Sequence, residues 1–212
     1  MSETWITSDY HLGHLVQAQR RGFETVEEHD RVLLRNTAKR VQPGDRFFIL
    51  GDLAMGEDKW NSLCRLADAT RWAETIVVLG NHDRAHPRHR NAHKHLRGWV
   101  NLFGSVATSA SVRHGGKTYL MSHFPYEGEG AGRPLVKDRD TQWRLRDEGR
   151  PLIHGHVHDD VRVRYSKFNT PMLHAGLDAW DLKPVTLHDL VTEEPDWDYL
   201  GEAVTTLNRG LR

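Results

Sequence analysis

Apolar residues along this chain fall into short runs that stop at polar, chemistry-bearing residues. Thr4–Ser8 reads as a strand and ends at Asp9, before a loop with Gly13 and Gly22. Thr25-x-x-Glu28 is a capping box, in which a hydroxyl and a carboxylate satisfy free N–H groups at a helix start. It predicts a helix to about Val41, with Leu33, Leu34, Ala38 and Val41 on one face. Pro43-Gly44-Asp45 is a turn. Arg46–Leu50 and Thr75–Leu79 are nearly all apolar, as strands covered on both faces are. They end at Gly51-Asp52 and at Gly80-Asn81-His82-Asp83. Asp58–Ala69 is a second helix candidate, and a basic, histidine-rich helix is expected after Asp83, with Pro87 in its first turn.

From about Ser105 the pattern becomes alternating. Val106–Arg113 and Lys117–Ser122, around Gly115-Gly116, predict a β-hairpin whose second arm ends at His123. Phe124–Arg150, glycine-rich and then charged, reads as a long active-site loop. Pro151–Ile153 is a short strand ending in His154-Gly155-His156-Val157-His158. Val161–Tyr165, Met172–Leu177 and Val185–Leu187 are further strands, and Trp197–Leu207 is a candidate C-terminal helix. Strand–helix units followed by hairpins place the chain in the α/β class. Its 212 residues, without repeat or linker, are expected to form one domain over 1–212.

Composition narrows the functions. The 29 basic and 29 acidic residues cancel, which argues against a non-specific polyanion binder and makes a nucleic-acid polymer an unexpected partner. No apolar run approaches the ~20 residues of a membrane span, so no membrane partner is expected. The single cysteine, Cys64, excludes an intrachain disulfide and reads as an inert core thiol. The first residues carry no basic and apolar leader, so a cytoplasmic setting is expected. The sequence specifies no oligomeric state. Fifteen histidines are the unusual feature, because imidazole is both metal ligand and neutral-pH acid–base group.

Five of the strand-like runs close on metal-competent residues: Asp9-x-His11, Gly51-Asp52, Gly80-Asn81-His82-Asp83, His123 and Gly155-His156-Val157-His158. Loops at the carboxyl ends of neighbouring strands converge on one site. Each piece alone is a weak signal; together, in order, they are a strong one. Two divalent ions held ~3.5–4 Å apart can clamp a phosphoryl group and generate a hydroxide nucleophile at neutral pH. One carboxylate must bridge them, and mixed imidazole and carboxylate donors suit Mn, Fe, Zn or Ni better than Mg or Ca. Gly51, Gly80 and Gly155 leave room for sharp turns and close approach.

The five pieces resemble the pattern of the calcineurin-like metallophosphoesterase superfamily, over Asp9 to His158. The resemblance implies a two-sheet β-sandwich flanked by helices and a site with two divalent metal ions, with Mn favoured. Asp9, His11 and His158 would hold the first ion, Asn81, His123 and His156 the second, and Asp52 would bridge. Asn81 and His82 would touch the substrate phosphate, His82 would protonate the leaving group, and Asp83 would orient the His82 imidazole; Arg84, one residue past the motif, is by its position and guanidinium chemistry a further candidate for the phosphate. Ser8-Asp9-Tyr10-His11 with His14, and Gly176 to Val185, is similar to small capless members from bacteria and their phages. Tyr10 and His174 depart from that pattern at positions expected to line the pocket.

The reading is therefore a metal-dependent phosphoesterase acting on a small phosphoester substrate. Phosphodiesters, including small or cyclic nucleotides, are favoured because Arg84 is the only arginine adjoining a motif. A phosphomonoesterase or nuclease of the same superfamily is the alternative. A non-catalytic scaffold, as in the superfamily's retromer subunit, is the rival from another class, against which the complete motif set weighs. His86, His89, His93 and His95 read as a solvated helix face, His154 as sheet packing, and Trp60, Trp72, Trp99 and Trp143 as core or loop anchors.

Overall fold

The computed structural model describes residues 2–130 and 137–193. The candidate helix at Trp197–Leu207 lies outside them. Two five-stranded sheets form the centre. In the first, β1 (Thr4–Thr7), β2 (Arg46–Ile49), β3 (Glu74–Val78) and β4 (Ser105–Ala107) run parallel, and β10 (Val185–Thr186) closes one edge antiparallel to β1. In the second, the order is β5 (Ala110–His114), β6 (Lys117–Met121), β7 (Leu152–His154), β9 (Pro171–His174) and β8 (Val163–Tyr165). The central β6–β7 and β7–β9 pairs are parallel.

The apolar runs of β2 and β3 have the reason expected of them. Phe47, Ile49, Val77 and Leu79 pack against Leu33 of α2 (Val26–Arg40), Leu63 and Leu66 of α3 (Lys59–Ala69), and Trp99 and Phe103 of α4 (Ala92–Phe103). Their neighbours Phe48, Leu50 and Val78 point the other way, onto Met121, Ile153 and Leu173 of the second sheet. With period-two side chains and a cover on each face, these strands are apolar beyond their first residues, where Arg46 and Glu74 pair at the exposed end and Thr75 follows. Helices thus flank the first sheet, while Tyr126 and Leu145 of the 124–150 segment pack on the outer face of the second.

Local chemistry fixes the start of α2. Thr25 caps α2 by accepting the Glu28 N–H at 3.2 Å, as its capping box requires. Between α3 and α4 the Trp60 indole lies over Gly98, where a Cβ would stand 3.0 Å from the ring. A mid-helix glycine costs roughly 0.5–1 kcal/mol relative to alanine, and here it makes room for the ring. Among the described residues no helix is long and apolar enough to cross a membrane.

Several elements differ from the sequence reading. The single strand expected over Val106–Arg113 is two: β4 joins the first sheet and β5 the second, with Thr108-Ser109 crossing between them. The alternation breaks at the crossing, where Val106 and Ala107 are both half-buried and Thr108 and Ser109 both exposed, a two-residue step that the reading as one strand passed over. The histidine-rich helix starts only at Ala92; residues 81–91 are successive turns, with i→i−3 bonds at His86, His89 and Ala92. Pro87 disfavours helical backbone at His86 and itself lacks an N–H. His86 is therefore buried against Phe124 and Trp143, and the His89 ring donates to the Asn81 carbonyl at 2.9 Å; neither lies on a solvated helix face. Trp60 and Trp72 are exposed, not core anchors, and Cys64 is half-buried.

Two short helices were absent from the reading. α1 (Leu15–Arg20) exposes Leu15 and Val16 and buries Gln17, an inverted polarity that hides its period. Leu187 begins α5 (Leu187–Thr192) and does not extend the strand, because Thr186 caps it by accepting the Asp189 N–H.

Candidate active site

All five sequence pieces come together at the carboxyl ends of β1, β2, β3, β6 and β7. Asp9, His11, Asp52, His156 and His158 all have positive φ, between 50° and 75°. Non-glycine residues rarely adopt this conformation, and such strain, of order 1–3 kcal/mol each, collects at functional sites. Neighbouring groups hold it. The Asp9 N–H donates to the Gly51 carbonyl at 3.0 Å and the His11 N–H to the Asp52 carbonyl at 2.9 Å. A buried Arg21 donates to the Asp9 and Tyr10 carbonyls at 2.7 and 3.1 Å. Gly51 has φ +87°, and a Cβ on Gly80 would collide with the Asp52 carboxylate and backbone N, so both positions require glycine.

Two sets of donor atoms face inward. In one, His11 Nε2 and His158 Nε2 are 3.1 Å apart, and 3.9 and 3.7 Å from Asp9 Oδ1. In the other, Asn81 Oδ1 lies 2.9 Å from His123 Nε2 and 3.1 Å from His156 Nδ1. Asp52 Oδ2 is 3.6 Å from His11 Nε2 and 3.5 Å from His123 Nε2, so this one oxygen faces both sets. Asp52 Oδ1 is occupied, accepting the His82 backbone N–H at 2.8 Å. Asp9 approaches the second set as well: its carboxylate, Asp52 and His123 each offer a ligand atom within 4.8 Å of the others.

The arrangement fits divalent cations. Asp9 Oδ1 is buried with no hydrogen-bond partner. Burial alone would raise the Asp9 carboxyl, but the facing His158 and His123 imidazoles and the Ser8 hydroxyl reverse this and hold it well below the usual carboxylate range. Burial pushes His11 down to about 3, despite Asp52 and Asp9, so its ring is neutral. Burial also lowers His156. Against burial, the Asp52 and Asp9 carboxylates raise His123, and Asp9 and Asp178 raise His158. The metal-free cluster thus draws positive charge inward, and ring nitrogens packed around a bare carboxylate oxygen are the place where a divalent cation can take over from those protons.

Three of the four outward nitrogens are held by partners, as suits imidazoles that could ligate a metal, while His11 Nδ1 is buried without a hydrogen bond. His123 Nδ1 donates to the Leu50 carbonyl at 2.8 Å, His156 Nε2 to Glu129 at 3.3 Å and His158 Nδ1 to Asp178 at 3.1 Å. Glu129, Asp178 and Arg21 were missed by sequence reasoning. Asp178 lies in the Gly176–Val185 segment singled out by resemblance; Glu129 and Arg21 had no local signal.

Asp83 is placed differently from its expected role. Its carboxylate accepts the N–H groups of Gly80, Asp52 and Leu53 at 2.7–3.0 Å, so it ties two strand ends together and makes no hydrogen bond to the His82 ring. Burial and the adjacent Asp52 charge push it up to about 7. Tyr10 and His174 do not line the pocket either. The Tyr10 hydroxyl bonds Thr37 in the core, and His174 is buried and stacked on His154.

The His82 ring, partly exposed, has its Nε2 3.9 Å from Asp52 Oδ2. It stands between two cavities. One, of about 430 Å³, is lined by His11, Asp52, Asn81 and the two arginines Arg20 and Arg139. The other, of about 290 Å³, is lined by Lys59, Trp60, Arg84 and His95. Arg84, expected at the substrate phosphate, faces this second cavity.

A mixed two-sheet fold with this site defines a metallophosphoesterase. The chain belongs to the calcineurin-like phosphoesterase family, whose profile matches residues 3–180. This family is divalent-metal dependent, and its class is that of metal-dependent phosphoester hydrolases. The chain is 40% identical to the gene 66 protein of Mycobacterium phage L5, over 85% of this chain and 88% of that one. It is 37% identical to the gene 66 protein of Mycobacterium phage D29, over 100% of both. Its fold is similar to that of a protein of unknown function from Aquifex aeolicus, with a TM-score of 0.64 at 20% identity, covering 91% of this chain and 99% of that one.

Proposed function

We propose that the protein hydrolyses phosphodiesters, with Asp9, His11 and His158 holding one divalent ion, Asn81, His123 and His156 a second, and Asp52 shared between them. Bound there, such ions neutralise charge on the phosphoryl oxygens and activate the attacking water; the donor set suits Mn²⁺, with Fe, Zn or Ni as alternatives. Water adds its oxygen to phosphorus, the bond to the leaving oxygen breaks, and that oxygen takes a proton from His82. Burial holds the free His82 ring below its ordinary value, and an anionic substrate beside it would shift it back up.

The observation that carries the diester reading is the cavity on each side of His82. A diester has two arms, and each finds space. On the metal side Arg139 is already paired with Glu129 at 2.7 Å, so Arg20 is the one unpaired arginine among the described residues lining that cavity, a modest charge for a dianionic monoester. The balanced net charge supports a small substrate over a long polymer.

With Mn²⁺ supplied, kcat/KM for bis(4-nitrophenyl) phosphate is expected to exceed that for 4-nitrophenyl phosphate by about tenfold, since one absent cation contact is worth that much. A monoester advantage of similar size would overturn the preference and leave the metal chemistry standing.

A further inference from the structure

Beyond the His82 ring the second cavity continues into a third space of about 390 Å³, sharing Lys59, His82, Arg84 and His95 with it. This space has no carboxylate in its lining: Lys59, Arg84 and Arg90 face it with three imidazoles, His82, His89 and His95. Among the described residues none of these three cations forms an ion pair, whereas nearby Arg88 pairs with Asp140 at 3.3 Å. The cluster arises from sequence as well: residues 84–97 hold five basic residues and no acidic one in a chain whose total charge is zero. Glu57 and Asp58 lie only on the other cavity, where Asp58 accepts a hydrogen bond from Asn61 at 2.8 Å.

The adjoining wall is aromatic. Trp60 is 50% exposed, and its indole is seated on Gly98, where any side chain would crowd it. A flat, half-exposed ring held in place beside unpaired cations is a stacking platform next to an anion site. Both lie on the side of His82 away from the donor cluster, which is where a leaving group departs if His82 protonates it.

We infer that this compound cavity is a leaving-group subsite for a nucleotide unit bearing a second phosphate, the base stacking on Trp60 and the phosphate bound by Lys59, Arg84 and Arg90. This rests on the phosphodiesterase reading above. Charge neutrality over the whole chain and a local excess at one end of the site together favour a substrate with one extra phosphate over a long polyanion. The reaction is unchanged: the scissile P–O bond is exchanged for a P–OH from water, and the leaving alcohol, now protonated, carries the second phosphate away.

The test compares dTpdT with pdTpdT and dTpdTp on the Mn²⁺-loaded protein, following cleavage of the internal diester. One of the two phosphorylated dinucleotides should gain about tenfold in kcat/KM over dTpdT, the worth of one charge-assisted hydrogen bond. That ratio should fall to about one in Lys59→Ala and in Arg90→Ala. Independently of turnover, thymidine 3′,5′-bisphosphate should quench tryptophan emission in the wild type but not in Trp60→Phe. Neither dinucleotide gaining, or a gain and a quench that survive these substitutions, would overturn the subsite. Hydrolysis of bis(4-nitrophenyl) phosphate in the same preparation separates the two ideas: if it proceeds, only the subsite falls; if no diester is cleaved, the phosphodiesterase reading falls with it.

Discussion

Asp52→Asn is expected to remove most of the activity and much of the bound metal while leaving the fold intact. Asp52 Oδ2 faces both donor sets, 3.6 Å from His11 Nε2 and 3.5 Å from His123 Nε2. An amide keeps an oxygen for the His82 N–H, which now donates to Oδ1 at 2.8 Å, so the strand-end geometry has no reason to move. What is lost is the negative charge between two cations. Metal stabilisation of a phosphoryl transition state is worth several kcal/mol, so the loss in kcat should reach ~10³-fold or more at about 1.4 kcal/mol per decade. Elemental analysis of the purified variant, alongside kcat on bis(4-nitrophenyl) phosphate, reads both effects. Near wild-type turnover with one ion per chain would rule out a shared dinuclear centre.

His82→Ala should behave in the opposite way, keeping its metals and slowing the chemistry. The contact between His82 and Asp52 Oδ1 is through the backbone N–H, which alanine retains. The imidazole stands at the junction of the two cavities with Nε2 3.9 Å from Asp52, close to the donor cluster but outside both sets. Proton donation to a leaving oxygen typically contributes ~10²–10⁴-fold. That contribution shrinks when the leaving group is stable as an anion, so the loss should be smaller for a 4-nitrophenyl diester than for an alkyl diester. Equal losses on the two substrates would refute proton donation. Loss of metal on mutation would instead make His82 a ligand.

The site was legible because metal chemistry demands particular residue types at strand ends, and those ends are marked by apolar runs that stop. Asp9, Asp52, Asn81, His123 and His156 all follow such runs, and the fold brings them together. What sequence could not show is how each is held. Arg21 bonds Asp178 at 2.8 Å across 157 residues, and His156 meets Glu129 from a glycine-rich loop. Only the tertiary fold makes these neighbours. Asp83 was misread for the opposite reason: adjacency to His82 suggested a side-chain pair, but both its oxygens are committed to backbone N–H groups of two strand ends.

The fold followed the same logic. Two-sided burial of β2 and β3 was written in their nearly all-apolar character, and the Thr25 cap in its capping box. The switch between sheets at Thr108-Ser109 left only a slight mark, two consecutive exposed polar residues after two half-buried ones, with no glycine or proline to signal a break. Helix α1 was hidden because it turns Leu15 and Val16 outward and buries Gln17 beside His158. The basic character of the segment around Arg84 and Arg90 was visible, but only the turns of residues 81–91 bring it alongside His82.

The measurement that bears most directly on the dinuclear phosphoesterase account is a titration of Mn²⁺ into chelator-treated wild-type protein. Bound ions per chain and hydrolysis of bis(4-nitrophenyl) phosphate would be followed on the same samples. Two donor sets sharing Asp52 predict negligible activity without metal, and turnover that reaches its plateau only as the second ion binds each chain. Turnover that survives chelation, or that saturates at one ion per chain, would contradict the account.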